Sequence, residues 1–247
     1  MIGMLSWKEP GKREKTVAVK ERSVLRMRFW CAEVLRGPRT PEAVLRRRVA
    51  AAGKRLRKQG VTRVVLPEDF SYGSQLEKWD LHPVSTLGLR RGIAADWVRW
   101  LLTEQGAPAA GARVAVSAEQ LTGEVVRTVT ELSLRHRYVL LDLSRGGEDL
   151  CRQLRREYGV SLLLGPSKEQ LEEAEVLVLF APREDCHSRR TLALYDETAS
   201  LPPLLLPPAL EEKLPKGCDR GQLLATLREQ GALRPGQITV GGGISAK

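Results

Sequence analysis

Arg113-Val114-Ala115-Val116-Ser117, Tyr138-Val139-Leu140-Leu141-Asp142, Val160-Ser161-Leu162-Leu163-Leu164 and Val176-Leu177-Val178-Leu179-Phe180 are four apolar runs spaced along residues 113–182. Each is too short for a typical helix, so each reads as a strand. Between the first two, Leu121, Val125, Val129 and Leu132 recur at spacings of four, four and three, the period of one helix face. Leu150, Leu154 and Tyr158 repeat every four residues, and Gly159 stands where a helix stops. Ser167 with Gln170 three residues on has the form of a capping box, opening a short helix through Leu171 and Ala174. Ala181-Pro182 ends the series. Apolar strands alternating with helices predict a parallel sheet covered on both faces, because right-handed crossovers lay helices over each side. The expectation is a doubly wound α/β unit, whose ligand would sit beyond the carboxyl ends of the strands, beside the first helix N-terminus.

The run from Val114 to Asp142 resembles the opening βαβ of NAD(P)-binding Rossmann domains, and Glu175-Val176-Leu177-Val178-Leu179-Phe180-Ala181-Pro182 is similar to the fourth strand that many of them carry. On the glycine fingerprint of that family, Ala118 takes the first glycine's place, Gln120 the second's, and Gly123 matches the third. Asp142, nineteen residues past Gly123, stands where the family's acidic residue holds the ribose hydroxyls. The resemblance implies that Ser117, Ala118, Gln120, Gly123 and Asp142 are the cofactor-binding residues and that NAD or NADP is the cofactor. The second glycine lets a pyrophosphate approach the backbone, and a Gln side chain there obstructs it. A degenerate Rossmann-like nucleotide-binding fold follows, serving as a non-catalytic scaffold or as a weak nucleotide or partner binder. The alternative is an NAD(P)-dependent oxidoreductase with an atypical phosphate loop. The layout of a small α/β domain, a connecting helix and a Rossmann-like unit is similar to that of shikimate dehydrogenase-type proteins, but their catalytic lysine and asparagine motifs are not found in residues 1–100.

The whole chain reads as a small N-terminal α/β domain followed by the Rossmann-like, mostly parallel sheet. Residues 1–15, polar with a Lys12-Arg13-Glu14-Lys15 cluster, read as a flexible leader. Residues 16–105 form a basic α/β domain with a connecting helix, residues 112–235 the Rossmann-like domain with a proline-rich segment, and residues 236–247 a tail, including Gly241-Gly242-Gly243. In the first domain, Thr16–Val19 and Val24–Trp30 read as strands of a hairpin joined by Lys20-Glu21-Arg22-Ser23. Thr40-Pro41 signals a helix N-cap, and the helix runs to about Gln59 before Gly60, with Leu45, Val49, Ala52 and Leu56 as its apolar stripe. A second helix is expected from about Ser85 to Gln105, and a last one near residues 220–230.

Charge is unevenly placed. Residues 1–100 carry 22 Lys and Arg against 10 Asp and Glu, net +12, whereas residues 101–247 carry 18 against 20, net −2. That asymmetry points to an anionic partner, such as nucleic acid or an acidic protein. Arg46, Arg47, Lys54, Arg57 and Lys58 fall within an arc of about 120° on the 40–60 helix, the candidate nucleic-acid contacts of a basic nucleic-acid-associated protein. No RNA-recognition or zinc-finger motif accompanies them, and aromatic residues make up 5%.

Other candidates are thinner. After Pro182, Arg183-Glu184-Asp185-Cys186-His187 would lie at the ligand edge of the sheet, and Cys186 beside His187 suggests a nucleophile and base, the catalytic candidates here. Glu68 and Asp69, after a strand at residues 61–66, are carboxylates on a loop, and His82 precedes Pro83. The four cysteines, Cys31, Cys151, Cys186 and Cys218, have no CxxC pairing, which argues against a zinc ribbon or disulfide framework and for free thiols in a cytoplasmic protein. No stretch approaches the roughly 20 apolar residues of a membrane span, and no signal peptide is read. Apolar surface on the proline-rich segment would suit a homodimer.

Overall fold

The computed structural model describes residues 1–11, 15–108, 111–186, 188 and 190–241. The chain divides into two units: unit 1 comprises residues 1–86 and 206–237, unit 2 residues 87–205 and 238–247.

Unit 1 opens with β1 (Ile2–Lys8), a central strand where a flexible leader was expected. Ile2, Met4 and Leu5 are buried, and β1 pairs in parallel with β3 on one side and β4 on the other. β2 (Val17–Val24) and β3 (Met27–Leu35) form the expected hairpin, but Lys20 to Ser23 lie within β2. Leu25 and Arg26, at φ 47° and 69°, make the turn, the left-handed backbone that a two-residue hairpin loop requires. The helix α1 (Glu42–Lys58) buries Leu45, Val49, Ala52 and Leu56 as its spacing predicts, and Gly60 at φ 73° follows its end. Its N-cap is Pro41, however, because the Thr40 hydroxyl accepts from Gly37 N–H instead (2.9 Å). β4 (Arg63–Val65), α2 (Gly73–Glu77) and β5 (His82–Pro83) complete a sheet of order β2-β3-β1-β4-β5, parallel except for the hairpin. Its core joins Leu5, Ala32, Val34, Val49, Leu56, Val64 and Leu76.

Unit 2 begins with α3 (Leu87–Gly92) and α4 (Ala94–Glu104), where the sequence predicted one helix; Ile93, at φ −125° and ψ 22°, breaks it. Arg90 donates to the carbonyls of Asp196, Glu197 and Ala199, which ties α3 to the end of the sheet. The sheet follows as β6 (Arg113–Ala118), α5 (Gly123–Ser133), β7 (Tyr138–Leu143), α6 (Gly147–Tyr158), β8 (Leu163–Leu164), α7 (Lys168–Glu172), β9 (Val176–Leu179) and β10 (Thr191–Ala193). Ser167 and Gln170 form the predicted capping box, and Gly159 caps α6 at φ 67°. Tyr158, expected on the buried stripe, is half exposed. All five strands are parallel in the order β10-β9-β6-β7-β8. Counted from β6 this is 5-4-1-2-3, the same sequence of neighbours as the Rossmann order 3-2-1-4-5 read through its first five strands. Unit 2 is therefore a Rossmann-like parallel sheet, as predicted. Val114, Val116, Leu141, Val176, Leu177 and Val178 are buried, which is why their runs are apolar on both faces.

After β11 (Leu204–Leu205) the chain returns to unit 1 with α8 (Pro208–Glu211) and α9 (Arg220–Glu229), instead of staying with the parallel sheet to residue 235. Asp219 caps α9 by accepting from Gln222 N–H (2.9 Å), and the same residue's N–H donates to Leu66 O (2.7 Å). Arg63 and Glu229 add a two-pronged ion pair at 2.8 and 2.9 Å. β12 (Thr239–Val240) then pairs with β11, so part of the expected tail is a strand. Gly241 is buried, its N–H on Pro203 O (2.8 Å). Gly242 and Gly243 lie outside the described residues.

Candidate functional site

Parallel pairing brings the carboxyl ends of β6, β7 and β9 to one edge of unit 2. The register sets Ser117 opposite Asp142 on one side and Leu179 on the other. Neighbours in β order reverse between β6 and β9, so the crevice at the head of β6 is the switch point of this sheet. Ser117 Oγ donates to Asp142 Oδ2 at 2.7 Å. Arg183, four residues past the end of β9, reaches the same carboxylate with Nη1, and that nitrogen also lies 3.3 Å from Ser117 Oγ. The rest of its guanidinium forks onto Asp185, Nε to Oδ1 at 2.8 Å and Nη2 to Oδ2 at 3.2 Å.

One arginine therefore ties together two carboxylates and a hydroxyl, reaching Asp142 41 residues and Ser117 66 residues back along the chain. The hydrogen bonds that Arg183 donates to Asp185, and the charge of Asp142 behind them, push the guanidinium further above its ordinary value against the opposing effect of burial. Reciprocally, Arg183 holds the Asp185 carboxyl below the usual carboxylate range. Side-chain exposure of 23% for Arg183 and 30% for Asp142 leaves the pair at the rim, partly shielded from water. The run from Arg183 was expected at this edge of the sheet, but no role was assigned to Arg183 itself, and its contacts with Ser117 and Asp142 were not foreseen.

The phosphate-loop candidates are placed differently. β6 continues through Ala118, which pairs with Leu143, so the position of the first glycine lies inside a strand. The turn consists of Glu119, Gln120, Leu121 and Thr122, with Gln120 and Leu121 exposed. Leu121, expected on the buried helix stripe, instead lies over Gly146, where a Cβ would come 3.1 Å from its Cδ2. Thr122 caps α5 by accepting from Val125 N–H (3.3 Å), and Gly123 is the first helical residue. A Cβ on Gly123 would meet nothing within 4 Å, so packing does not demand glycine there. Ser117, Ala118, Gln120, Gly123 and Asp142 thus share one edge, and of these Ser117 and Asp142 are joined by a hydrogen bond.

Cys186 is buried among Leu140, Leu171, Leu177 and Leu179, and burial pushes its thiol up, away from the thiolate a nucleophile needs. His187 lies outside the described residues. Burial raises Cys31, Cys151 and Cys218 likewise. Asp69 is part of a cluster at the carboxyl ends of β1, β3 and β4: it accepts from Trp7 Nε1 (2.7 Å) and pairs with Arg36. Burial works against its charged form, but those two bonds outweigh it and hold the carboxyl below its ordinary value. Trp7 stacks on Phe70, and Tyr72 meets both edge-on, with ring centroids 5.8–6.0 Å apart. His82 is exposed beside Asp80 at 3.2 Å. Among the described residues no group of three or more His, Cys, Asp or Glu is arranged to hold a metal ion. No described helix is long and apolar enough to cross a membrane.

On α1, Arg46, Arg47, Lys54, Arg57 and Lys58 are all exposed. Arg46 pairs with Glu42, and Arg57 with Asp80 at 2.9 Å, while Lys54 lies over the Trp79 ring at 5.7 Å. Arg48 and Arg55 point the other way and bind the carbonyls of Leu35 and Val17.

No family model matches the chain, and no curated protein matches it by sequence. Among solved structures it is similar to L-tryptophan dehydrogenase from Nostoc punctiforme, at 12% identity and TM-score 0.27 over 61% of this chain and 44% of that one. It is similar over the same share to shikimate 5-dehydrogenase from Listeria monocytogenes in complex with shikimate and NAD, at 10% identity and TM-score 0.27 over 58% of that chain. A dipicolinate synthase chain from Bacillus halodurans gives 14% identity and TM-score 0.36 over 70% of this chain and 67% of that one. The chain spans about half the length of the first two. At such TM-scores the likenesses carry no argument, and the fold class rests on the strand order described above.

Proposed function

We propose that unit 2 is a degenerate Rossmann-like unit that serves as a non-catalytic scaffold or as a weak binder of a nucleotide or partner. The observation that carries this reading is the Arg183–Asp142–Ser117 cluster. The carboxylate that a ribose would need already accepts from a hydroxyl and a guanidinium, both at Oδ2, so a ribose diol that takes both carboxylate oxygens competes with them for that one. Displacement means breaking a charge-assisted bond at a partly shielded site, which subtracts from any affinity gained. The continuation of β6 through Ala118 supports the same reading, because the strand occupies sequence that the glycine fingerprint uses for its tight turn.

A second reading, an NAD(P)-dependent oxidoreductase with an atypical phosphate loop, is favoured by one observation: Asp142 stands near the carboxyl end of β7, beside the switch point. Thermal-shift measurements with NAD, NADP, S-adenosylmethionine and ATP separate the two. A ligand at a hundred times its dissociation constant adds about 2.7 kcal/mol. The scaffold reading expects no shift, or one well below that figure, from NAD or NADP at millimolar concentration. A rise in melting temperature with either dinucleotide that Asp142→Ala abolishes would overturn it.

A further inference from the structure

We propose that the outward face of α1 in unit 1 binds the phosphate backbone of duplex nucleic acid without reading its sequence. This surface is independent of the function assigned to unit 2.

The first observation is how the fold redistributes charge. With residues 206–237 joined to residues 1–86, unit 1 holds 24 Lys and Arg against 13 Asp and Glu, net +11, and unit 2 holds 16 against 17, net −1. Unit 1 therefore carries the whole basic excess of the chain.

The second is the division of labour along α1. Its seven basic side chains fall into three groups. Arg48 and Arg55 bind strand-end carbonyls and fasten the helix to its sheet. Arg46 and Arg57 are matched by Glu42 and Asp80. Arg47, Lys54 and Lys58 have no carboxylate partner among the described residues, and Lys54 rests on the Trp79 ring. At about 100° and 1.5 Å per residue these three fall within about 40° of one another, in a stripe about 16 Å long. A straight row of uncompensated cations matches a polyanion with regularly spaced charges, whose condensed counterions are released on contact.

The competing anionic surfaces fit less well. A helix lying on a membrane needs exposed apolar side chains beside its cations. The large exposed hydrophobics of the described residues are Met1, Leu121, Leu134, Tyr138, Tyr158, Leu163 and Leu205, none of them on α1. Single strands are held by aromatic platforms. The one aromatic ring beside the stripe, Trp79, is half-buried and covered by Lys54. A duplex asks only for correctly spaced positive charge.

Fluorescence anisotropy of the full chain with a labelled 20-base-pair DNA duplex tests this. With three phosphates neutralised the slope of log K against log salt is about −2.7, so affinity should fall about 40-fold between ~50 and ~200 mM salt. The triple variant Arg47→Gln, Lys54→Gln, Lys58→Gln should lose most of that slope. Lys78→Gln, Lys213→Gln, Arg234→Gln, which removes the same charge from unit 1 off the helix, should keep it. Circular dichroism melts establish that both variants fold. The proposal is overturned by a wild-type slope shallower than −1, by equal losses in the two variants, by tighter binding of a single strand than of the duplex, or by anionic phosphatidylserine vesicles that compete for the same α1 residues more strongly than the duplex does.

Discussion

Replacing Arg183 with alanine removes the hub of the carboxyl-edge cluster while leaving both carboxylates in place. Two contacts to Asp142 and Ser117 and the fork onto Asp185 vanish together. A hydrogen bond to a charged group contributes about 1.5–3 kcal/mol when shielded, and an exposed ion pair contributes below about 1 kcal/mol. With Arg183 and Asp142 at 23% and 30% side-chain exposure, the expected loss lies between those limits, about 1–2 kcal/mol. For a chain of this length that corresponds to about 2–8 °C in melting temperature. A double-mutant cycle with Asp142→Ala in urea should return a coupling energy of about 1 kcal/mol, because each substitution removes the same bond. The pH dependence has a defined sign. Asp185 is held below its ordinary value by Arg183, so its stabilisation is present above the unfolded carboxylate pKa of about 4 and is lost as pH falls through the lower folded value. The gap between wild type and Arg183→Ala should therefore narrow when melts move from neutral pH into that acid range. A coupling energy below about 0.3 kcal/mol, within the usual scatter of additive sites, would refute the cluster as described.

Three further outcomes are expected. Leu25→Asn with Arg26→Gly, at the turn held at φ 47° and 69°, should raise stability by about 1 kcal/mol in chemical denaturation, since both residues now sit where non-glycine side chains are strained. Leu177→Ala should lower it by about 2–5 kcal/mol, because this fully buried side chain stands on an interior strand of the parallel sheet in one packed cluster with Ala115, Leu140 and Leu171. Under Ellman's reagent at neutral pH, Cys151, the half-buried thiol, should react first and slowly. Cys31, Cys186 and Cys218, all buried, should react only on unfolding.

Periodicity and turn chemistry are properties of neighbouring residues, and what depended on them was legible without coordinates. The apolar runs from Val114 to Phe180, the Ser167–Gln170 capping box, the stops at Gly60 and Gly159, and the buried stripe of Leu45, Val49, Ala52 and Leu56 all required only local pattern. What depended on partners distant in the chain was not. Residues 2–8 became a central strand because β3 and β4 flank them, and nothing within the stretch itself announces that pairing. Thr40 lost its role as N-cap to a competing bond from Gly37, and the predicted 85–105 helix broke at Ile93 as Arg90 gathered three carbonyls over a hundred residues away.

The amino-acid order alone determined that a parallel α/β sheet forms over residues 113–182 and that positive charge concentrates toward the N-terminus, since apolar runs and ionic side chains act wherever they stand. Tertiary structure alone decided that residues 206–237 rejoin the first unit and that Arg183 meets Asp142, because adjacency between distant segments exists only once strands have chosen their neighbours.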